Sequence, residues 1–375
     1  MKNSVIVVGG GVMGASAAYW LSTMGRQVTL LDQNEVPNRH GASGDQLRAL
    51  RLAYGKDVFY ADMAVKSLPL WLDFCRQSAD PFLLQNGFMD LAVQEHGYEE
   101  HCLKVLRELK SPCVVLGKDE LRRHYPMINT RAVRYGLLHK AGGMIWAMRA
   151  LSAVLNLAQR RGVKVKAHAK IVAVQRSGGE IKGLKDSTGK TWSAEQYLFA
   201  PGAWVQEIFR GWRIPVEAIR RRQLYLCPPI NRGRYRPEHF PPFSIASQGF
   251  CGYPLHIHGF MKIAESRRGT VVKVPGNAGE EAEPAFEKKC RAFLKKFLPE
   301  LADFNEFEGH VAYYSATKDG DFIIDRLPGA ANGFLMAGFG DQGFTFAPLL
   351  GRAAAQVVVG GKSDLNLHRF RLARF

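Results

Sequence analysis

Six residues near the start of the chain, Gly9-Gly10-Gly11-Val12-Met13-Gly14, constrain its fold more than any other feature. They fit G-x-G-x-x-G, follow the β-branched run Val5–Val8, and lead into Ala15–Met24, where apolar residues recur at helical spacing. The stretch Arg26–Leu31 returns to strand character and ends at Asp32. Strand, glycine turn, helix and strand make a βαβ unit in which each glycine has a separate task. The first allows the tight turn, the second lets a pyrophosphate approach the backbone, and the third permits close helix–strand packing. Unpaired N–H groups at the helix N-terminus are suited to phosphate, and Asp32 is placed to accept hydrogen bonds from a ribose. A dinucleotide is therefore expected here. The competing reading is a structural turn in an unrelated α/β fold, and the turn alone does not separate FAD from NAD.

Hydrophobic periodicity places further elements. Helices are expected at Phe59–Ser78, Tyr98–Leu109, Met148–Arg161 (closed by Gly162), Pro284–Phe297 and Ala347–Val359. Strands are expected at Leu84–Val93, Val114–Leu116, Val163–Ala169, Tyr197–Ala200 and Gly333–Phe339, with a hairpin in Ile171–Ser193 and further runs between 214 and 275. With 375 residues, two domains are expected. Nucleotide-type strands lie at both ends and in the middle of the chain, so the first domain is expected to be discontinuous.

Composition removes several classes. Hydrophobic residues make up 46% and charged residues 23%, which fits a globular chain with a sizeable core. Apolar runs such as Val5–Val8 and Gly333–Phe339 are far short of a membrane span. The first apolar run leads directly into the glycine turn rather than a leader cleavage site, so a cytoplasmic location is expected. Cysteines 75, 102, 113, 227, 251 and 290 are scattered without a C-x-x-C pair and read as reduced thiols. His256 and His258 lack a third ligand nearby, so no metal is expected. The net charge of +17 is spread widely, with clusters at Arg160–Lys170, Arg220–Arg222 and Arg232–Arg236. No nucleic-acid motif accompanies it, and it reads as solubility plus attraction for an anionic cofactor and an anionic substrate.

Past the first βαβ unit come Gly41-Ala42-Ser43-Gly44-Asp45-Gln46-Leu47-Arg48 and Ala49-Leu50-Arg51-Leu52-Ala53-Tyr54-Gly55. Here the chain resembles the sarcosine oxidase and N-methyltryptophan oxidase branch of the D-amino-acid-oxidase-like flavoproteins, which carry R-x-x-R-x-A-Y-G at this point. The resemblance runs in order through Gly202-Ala203-Trp204, Lys262, Phe322-Ile323-Ile324-Asp325 and Ala337-Gly338-Phe339-Gly340-Asp341-Gln342-Gly343-Phe344 to the closing Phe370–Phe375. It implies an α/β (α+β) fold. A discontinuous, Rossmann-like FAD domain of glutathione-reductase type would occupy residues 1–84, 140–212 and 318–375, with a mixed-sheet substrate domain at 85–139 and 213–317.

It also implies site residues. Gly9, Gly11, Val12, Met13, Gly14, Asp32 and Gln33 would hold the ADP half of FAD, with the Ile171 backbone at the adenine and Gly202 near the phosphates. Gly338, Gly340, Gly343, Phe344 and Thr345 would surround the flavin ring. Lys262 matches the lysine that promotes reaction with oxygen; its bland alternative is a solvated lysine on a strand. Arg48 would lie near the flavin and Arg51 would take a substrate carboxylate, the two sharing one side of a turn if the segment is helical, with surface ion pairs as the alternative. Tyr314, Gln342 and Thr345 would line the substrate cavity, although a core tyrosine is an alternative for Tyr314.

The chain departs from the family pattern in four places. Ala312 stands where the family's flavin-linking cysteine lies, so the FAD is expected to be non-covalent. Thr345 replaces a carboxylate-binding lysine, and Gly44 and Ser266 replace two active-site histidines. Sarcosine is accordingly not the expected substrate. Either Arg51 works with another cation, one of Arg220–Arg222, or a larger amine is placed differently. The implied activity is oxidation of a C–N bond in an amine, an N-substituted or secondary amino acid, with oxygen as acceptor and a monomer or small homo-oligomer as the working unit. A dehydrogenase passing electrons to a quinone or protein is the alternative, and a flavin-containing nucleic-acid-associated protein is a third reading.

Overall fold

The computed structural model describes residues 3–276, 279–281 and 283–375. Residues 1 and 2 of the expected FAD domain, and 277, 278 and 282 of the expected substrate domain, lie outside the described residues. The glycine turn sits at the centre of a six-stranded sheet. Strand β1 (Ser4–Val8) pairs in parallel with β2 (Gln27–Leu31) on one side and with Gln196–Phe199 on the other. Lys164–Lys166 extends the sheet beyond β2, while Gly333–Ala337 and the antiparallel edge strand Ile323–Arg326 extend it the other way. Strands of one sheet are thus drawn from the beginning, middle and end of the chain.

Alternation along β1 explains how the sheet is covered on both faces. Val5 and Val7 join a core with helix α1 (Val12–Thr23) and the helices Val58–Ser78, Ala147–Arg160 and Gly343–Gly360. Ile6 and Val8 face a second core shared with the antiparallel strands Ile171–Ser177 and Glu180–Asp186. Helix α1 is apolar nearly all round because it is sandwiched between the sheet and Gly343–Gly360. Small residues make that approach possible, since a Cβ on Gly351 would lie 2.4 Å from Ser16 Oγ.

A ten-stranded sheet forms the other large layer. Its long strand Glu217–Leu226 pairs antiparallel with Phe307–Ala316 and Met261–Glu265. Helix Pro284–Phe297 covers one face through Phe286, Cys290, Phe293 and Phe297, as its amphipathic pattern requires. The opposite face of the same strands looks toward the six-stranded sheet and walls a cavity. Among the described residues no helix is long and apolar enough to cross a membrane.

Four expectations need correction. The run expected as one strand at Leu84–Val93 is two, Leu83–Leu84 and Phe88–Ala92, in different sheets, because the chain turns at Gly87 with φ +84°. The expected strand Val163–Ala169 is regular only over Lys164–Lys166. The final helix begins at Gly343, four residues before Ala347. Arg48 does not sit on a helical turn: Leu47–Leu50 is strand β3, paired antiparallel with Gly143–Trp146. The pairing buries Leu47 and Leu50 and leaves Arg48 half-buried, so tertiary pairing overrides local helical spacing.

Candidate active site

The carboxyl ends of the parallel strands open into one elongated cavity enclosing about 1870 Å3 of atom-free space, its mouth included. Its floor at one end is backbone. Gly9 has φ +108°, and a Cβ there would lie 2.2 Å from Ala200 O; a Cβ on Gly14 would lie 1.9 Å from Gly9 O. No other residue fits either place. Gly11 opens α1 with no side-chain cap, and the first turn carries no acidic residue. The Val12 N–H donates to Ser43 Oγ at 3.0 Å, so the serine hydroxyl lies where the helix dipole favours negative charge.

Asp32 at the end of β2 also braces the turn. Its Oδ2 accepts from the Gly10 N–H at 2.6 Å, and its Oδ1 accepts from the Asn34 N–H and Asn38 Nδ2, both at 2.9 Å. Burial raises its carboxyl, against these hydrogen bonds. Oδ1 is filled by its two donors, while Oδ2 accepts only one and keeps a lone pair, so bracing the loop and accepting from a ribose at Oδ2 are compatible.

The other end of the cavity is lined by charged and hydroxyl side chains from segments far apart in sequence. Lys262, on Met261–Glu265, is 3% exposed, and its Nζ donates to Asp45 and, at 3.4 Å, to Leu47 O. Arg48 donates to the same Asp45 carboxylate and to Ala42 O at 2.5 Å, and Tyr225 Oη donates to Asp45 Oδ1. Burial would raise the Asp45 carboxyl, but Arg48 and Lys262 outweigh it and hold it well below the carboxylate range. Burial brings the Lys262 ammonium down to about 8, against the pull of Asp45. Two cations share one carboxylate, so the wall keeps a net positive charge.

Arg51 differs. No carboxylate lies within ion-pair distance of it among the described residues; Nη2 reaches Gln342 Oε1 at 3.4 Å, and the guanidinium lies 4.6 Å from the Tyr54 ring centre. Arg221 also lines this end, ion-paired with Asp341 and donating to the Glu265 carbonyl. Strand alternation sends its neighbours elsewhere: Arg220 pairs with Glu281 and Glu283, and Arg222 with Glu265 and Glu283.

The expected residues come together in this one cavity: Gly9, Gly11, Val12, Met13, Asp32, Gln33, Ile171 and Gly202 toward one end, and Arg48, Arg51, Lys262, Tyr314, Gly340, Gln342, Gly343, Phe344 and Thr345 toward the other. Gly14 and Gly338 do not line it. Gly14 sits behind the turn against Gly9, and Gly338 (φ +74°) donates its N–H to Ser315 Oγ at 3.0 Å, so both act by shaping backbone. Thr345 is 3% exposed and its hydroxyl donates to Ala49 O at 3.3 Å, so it is not a free donor to a ligand. Tyr314 is 7% exposed, and its oxygen accepts from the Gly269 N–H at 3.4 Å. His256 and His258 lie outside the cavity with rings 4.8 Å apart, His256 stacked 4.6 Å from Phe260.

Asp45, Tyr253, Asp341 and Ser43 also line the cavity. Sequence reasoning gave none of them a role, because no local signal marks a residue whose partner, like Lys262 for Asp45, is 217 positions away.

A glycine turn with no room for a Cβ at Gly9, a helix start with no acidic residue in its first turn and a ribose-side carboxylate fit an adenine dinucleotide. Comparison with known proteins agrees. A family model described as FAD dependent oxidoreductase (DAO) matches residues 4–357. N-methyl-L-tryptophan oxidase from Escherichia coli is 26% identical over 381 residues, spanning 100% of each chain. The L-proline dehydrogenase of P. horikoshii superposes with a TM-score of 0.86 at 20% identity, covering 98% of this chain and 96% of that one. The fructosamine oxidase Amadoriase II of Aspergillus fumigatus gives 0.85 at 21% identity, covering 98% and 89%. These two likenesses establish the fold. With the family model matching nearly its whole length, the chain belongs to the FAD-dependent oxidoreductase (DAO) family and takes FAD as its cofactor.

Proposed function

We propose that this flavoprotein oxidises the C–N bond of an N-substituted or secondary amino acid to an imine, with oxygen as acceptor. The observation that carries the reading is Arg51, a guanidinium walled into the cavity with no carboxylate at ion-pair distance among the described residues. A charge held this way is costly unless a ligand completes it, and a substrate carboxylate does so through a bidentate pair. Bound FAD would supply the two-electron acceptor, and oxygen, taking up those two electrons and two protons, would leave as hydrogen peroxide.

The chain's residues orient and stabilise. Arg51 anchors the substrate with Gln342 beside it, and Tyr314 closes the wall. Lys262 and Arg48, sharing Asp45, present one net positive charge where negative charge develops, fixed in advance by the ion pair. The helix Gly343–Gly360 starts at the cavity and points its N-terminal dipole inward through Phe344 and Thr345.

Ala312 lines the cavity and brings no sulfur to it, which supports a non-covalent flavin. Cys251 is the one cysteine lining the cavity among the described residues, so yellow colour that sedimented with acid-denatured protein would point there. Peroxide release over a panel of N-methyl, cyclic and long-chain amino acids tests the activity. Reduction of a dye without oxygen, paired with no peroxide in air, would instead select a dehydrogenase.

A further inference from the structure

The chamber holds a second carboxylate that the reading above leaves unused. Asp341 follows the turn at Gly340 and precedes Gln342, the residue that Arg51 touches. One oxygen is held by Arg221, whose other Nη donates to the Glu265 carbonyl, so the guanidinium is clamped from two sides. Asp341 nevertheless keeps 36% of its side-chain surface accessible, against 11% for Arg221, and that surface faces the cavity. Burial would raise its carboxyl, but Arg221 and Arg51 outweigh burial and keep it ionised. The chamber thus presents an underpaired cation, Arg51, and a fixed anion, Asp341, near enough to feel each other.

That arrangement is the electrostatic complement of a zwitterion. We propose that Asp341 is the subsite for the substrate's ammonium group, with Arg221 as the positioning residue that holds it, so that the chamber selects amino acids over simple carboxylic acids. The proposal rests on the reading of Arg51 as the carboxylate anchor. It has a kinetic corollary. An amine must lose its ammonium proton to solvent before its C–N bond is oxidised, and an ion pair with Asp341 opposes that loss. Turnover therefore rises with pH along a limb set by the bound amine, and removing the Asp341 charge moves that limb to lower pH.

The test is anaerobic calorimetry of the holoenzyme with three probes: L-proline, tetrahydrofuran-2-carboxylate, which replaces the ring nitrogen by oxygen, and malonate. Wild type should bind L-proline roughly tenfold or more tightly than the ether acid, the contribution of one charge-assisted hydrogen bond. Asp341→Asn should bring the ratio near one with the ether acid bound at least as well as before, and should shift the acid limb of kcat downward. Arg221→Lys, which keeps the charge and loosens the fork, should lower the ratio in part, and it serves if Asp341→Asn does not fold. Equal binding of L-proline and the ether acid by wild type overturns the ammonium subsite while leaving the Arg51 anchor intact. Malonate binding tighter than both overturns it in favour of a site for two anions on Arg51 and Arg221. If no carboxylate binds, the anchor itself fails, and the subsite with it.

Discussion

The two ends of the cavity are built from different material. Toward Gly9–Met13 the wall is main chain, and its shape follows from what glycine lacks: there is no room for a Cβ at Gly9 or Gly14. Toward Arg51 the wall is side chain, and its character follows from charges whose partners arrive from remote strands, Lys262 and Tyr225 on Asp45 and Arg221 on Asp341. A backbone cradle is all-or-none, because a methyl group either fits or displaces a strand. A charged chamber is graded, since each ion can be removed singly while the sheet beneath it stays.

Substitutions should separate the two ends by size and kind of effect. Gly14→Ala should be the most damaging, because its methyl would push α1 off the turn. We expect a loss of about 3 kcal/mol or more and colourless protein, read by thermal unfolding and flavin absorbance; a yellow, normally stable variant would break the contrast. Arg51→Gln should keep flavin and stability yet lower kcat/KM by roughly 100-fold or more, mostly through KM, as expected for removing an anchor to a buried carboxylate. Lys262→Met should slow reoxidation by oxygen by roughly 100-fold while leaving anaerobic flavin reduction close to wild type.

The same lysine fixes a pH dependence. Burial depresses its pKa to about 8, so the charge is present below that pH and lost above it. Oxygen reactivity should decline as pH rises through about 8 in wild type and stay flat there in the variant; parallel profiles would remove Lys262 from that role. Gly340→Ala should have the smallest effect without cofactor. Its φ of +58° strains an alanine by about 1 kcal/mol, and no atom lies within 4 Å of the new methyl. A disproportionate loss of flavin affinity in this variant would sharpen the comparison, placing bound ring against the turn.

Legibility in sequence tracks the same division. The βαβ unit, Asp32 and the family motifs lie in short contiguous stretches, where strand period, glycine spacing and helix start are local properties. Arg48 shows where local reasoning stops. Its spacing from Arg51 suits a helical turn, but pairing with Gly143–Trp146 makes the segment a strand and hands Arg48 to Asp45. Leu84–Val93 splits for a related reason, because one glycine sends its halves to different sheets. The cluster Arg220–Arg222 is visible in sequence as charge and as a source of a second cation for Arg51, without saying which of the three. Only the register of Glu217–Leu226 decides that Arg221 enters the chamber while its neighbours pair with glutamates on the other face.

By itself the sequence determined a dinucleotide cradle, because phosphate recognition by main chain needs only a strand, three spaced glycines and a helix start in succession. The tertiary structure decided which charges meet: that Asp45 serves two cations, that Arg51 has no carboxylate at ion-pair distance among the described residues, and that Asp341 is held by Arg221 instead. Ion pairs act over a few ångströms of space regardless of chain separation, so their partners become fixed only when the sheets close on one another.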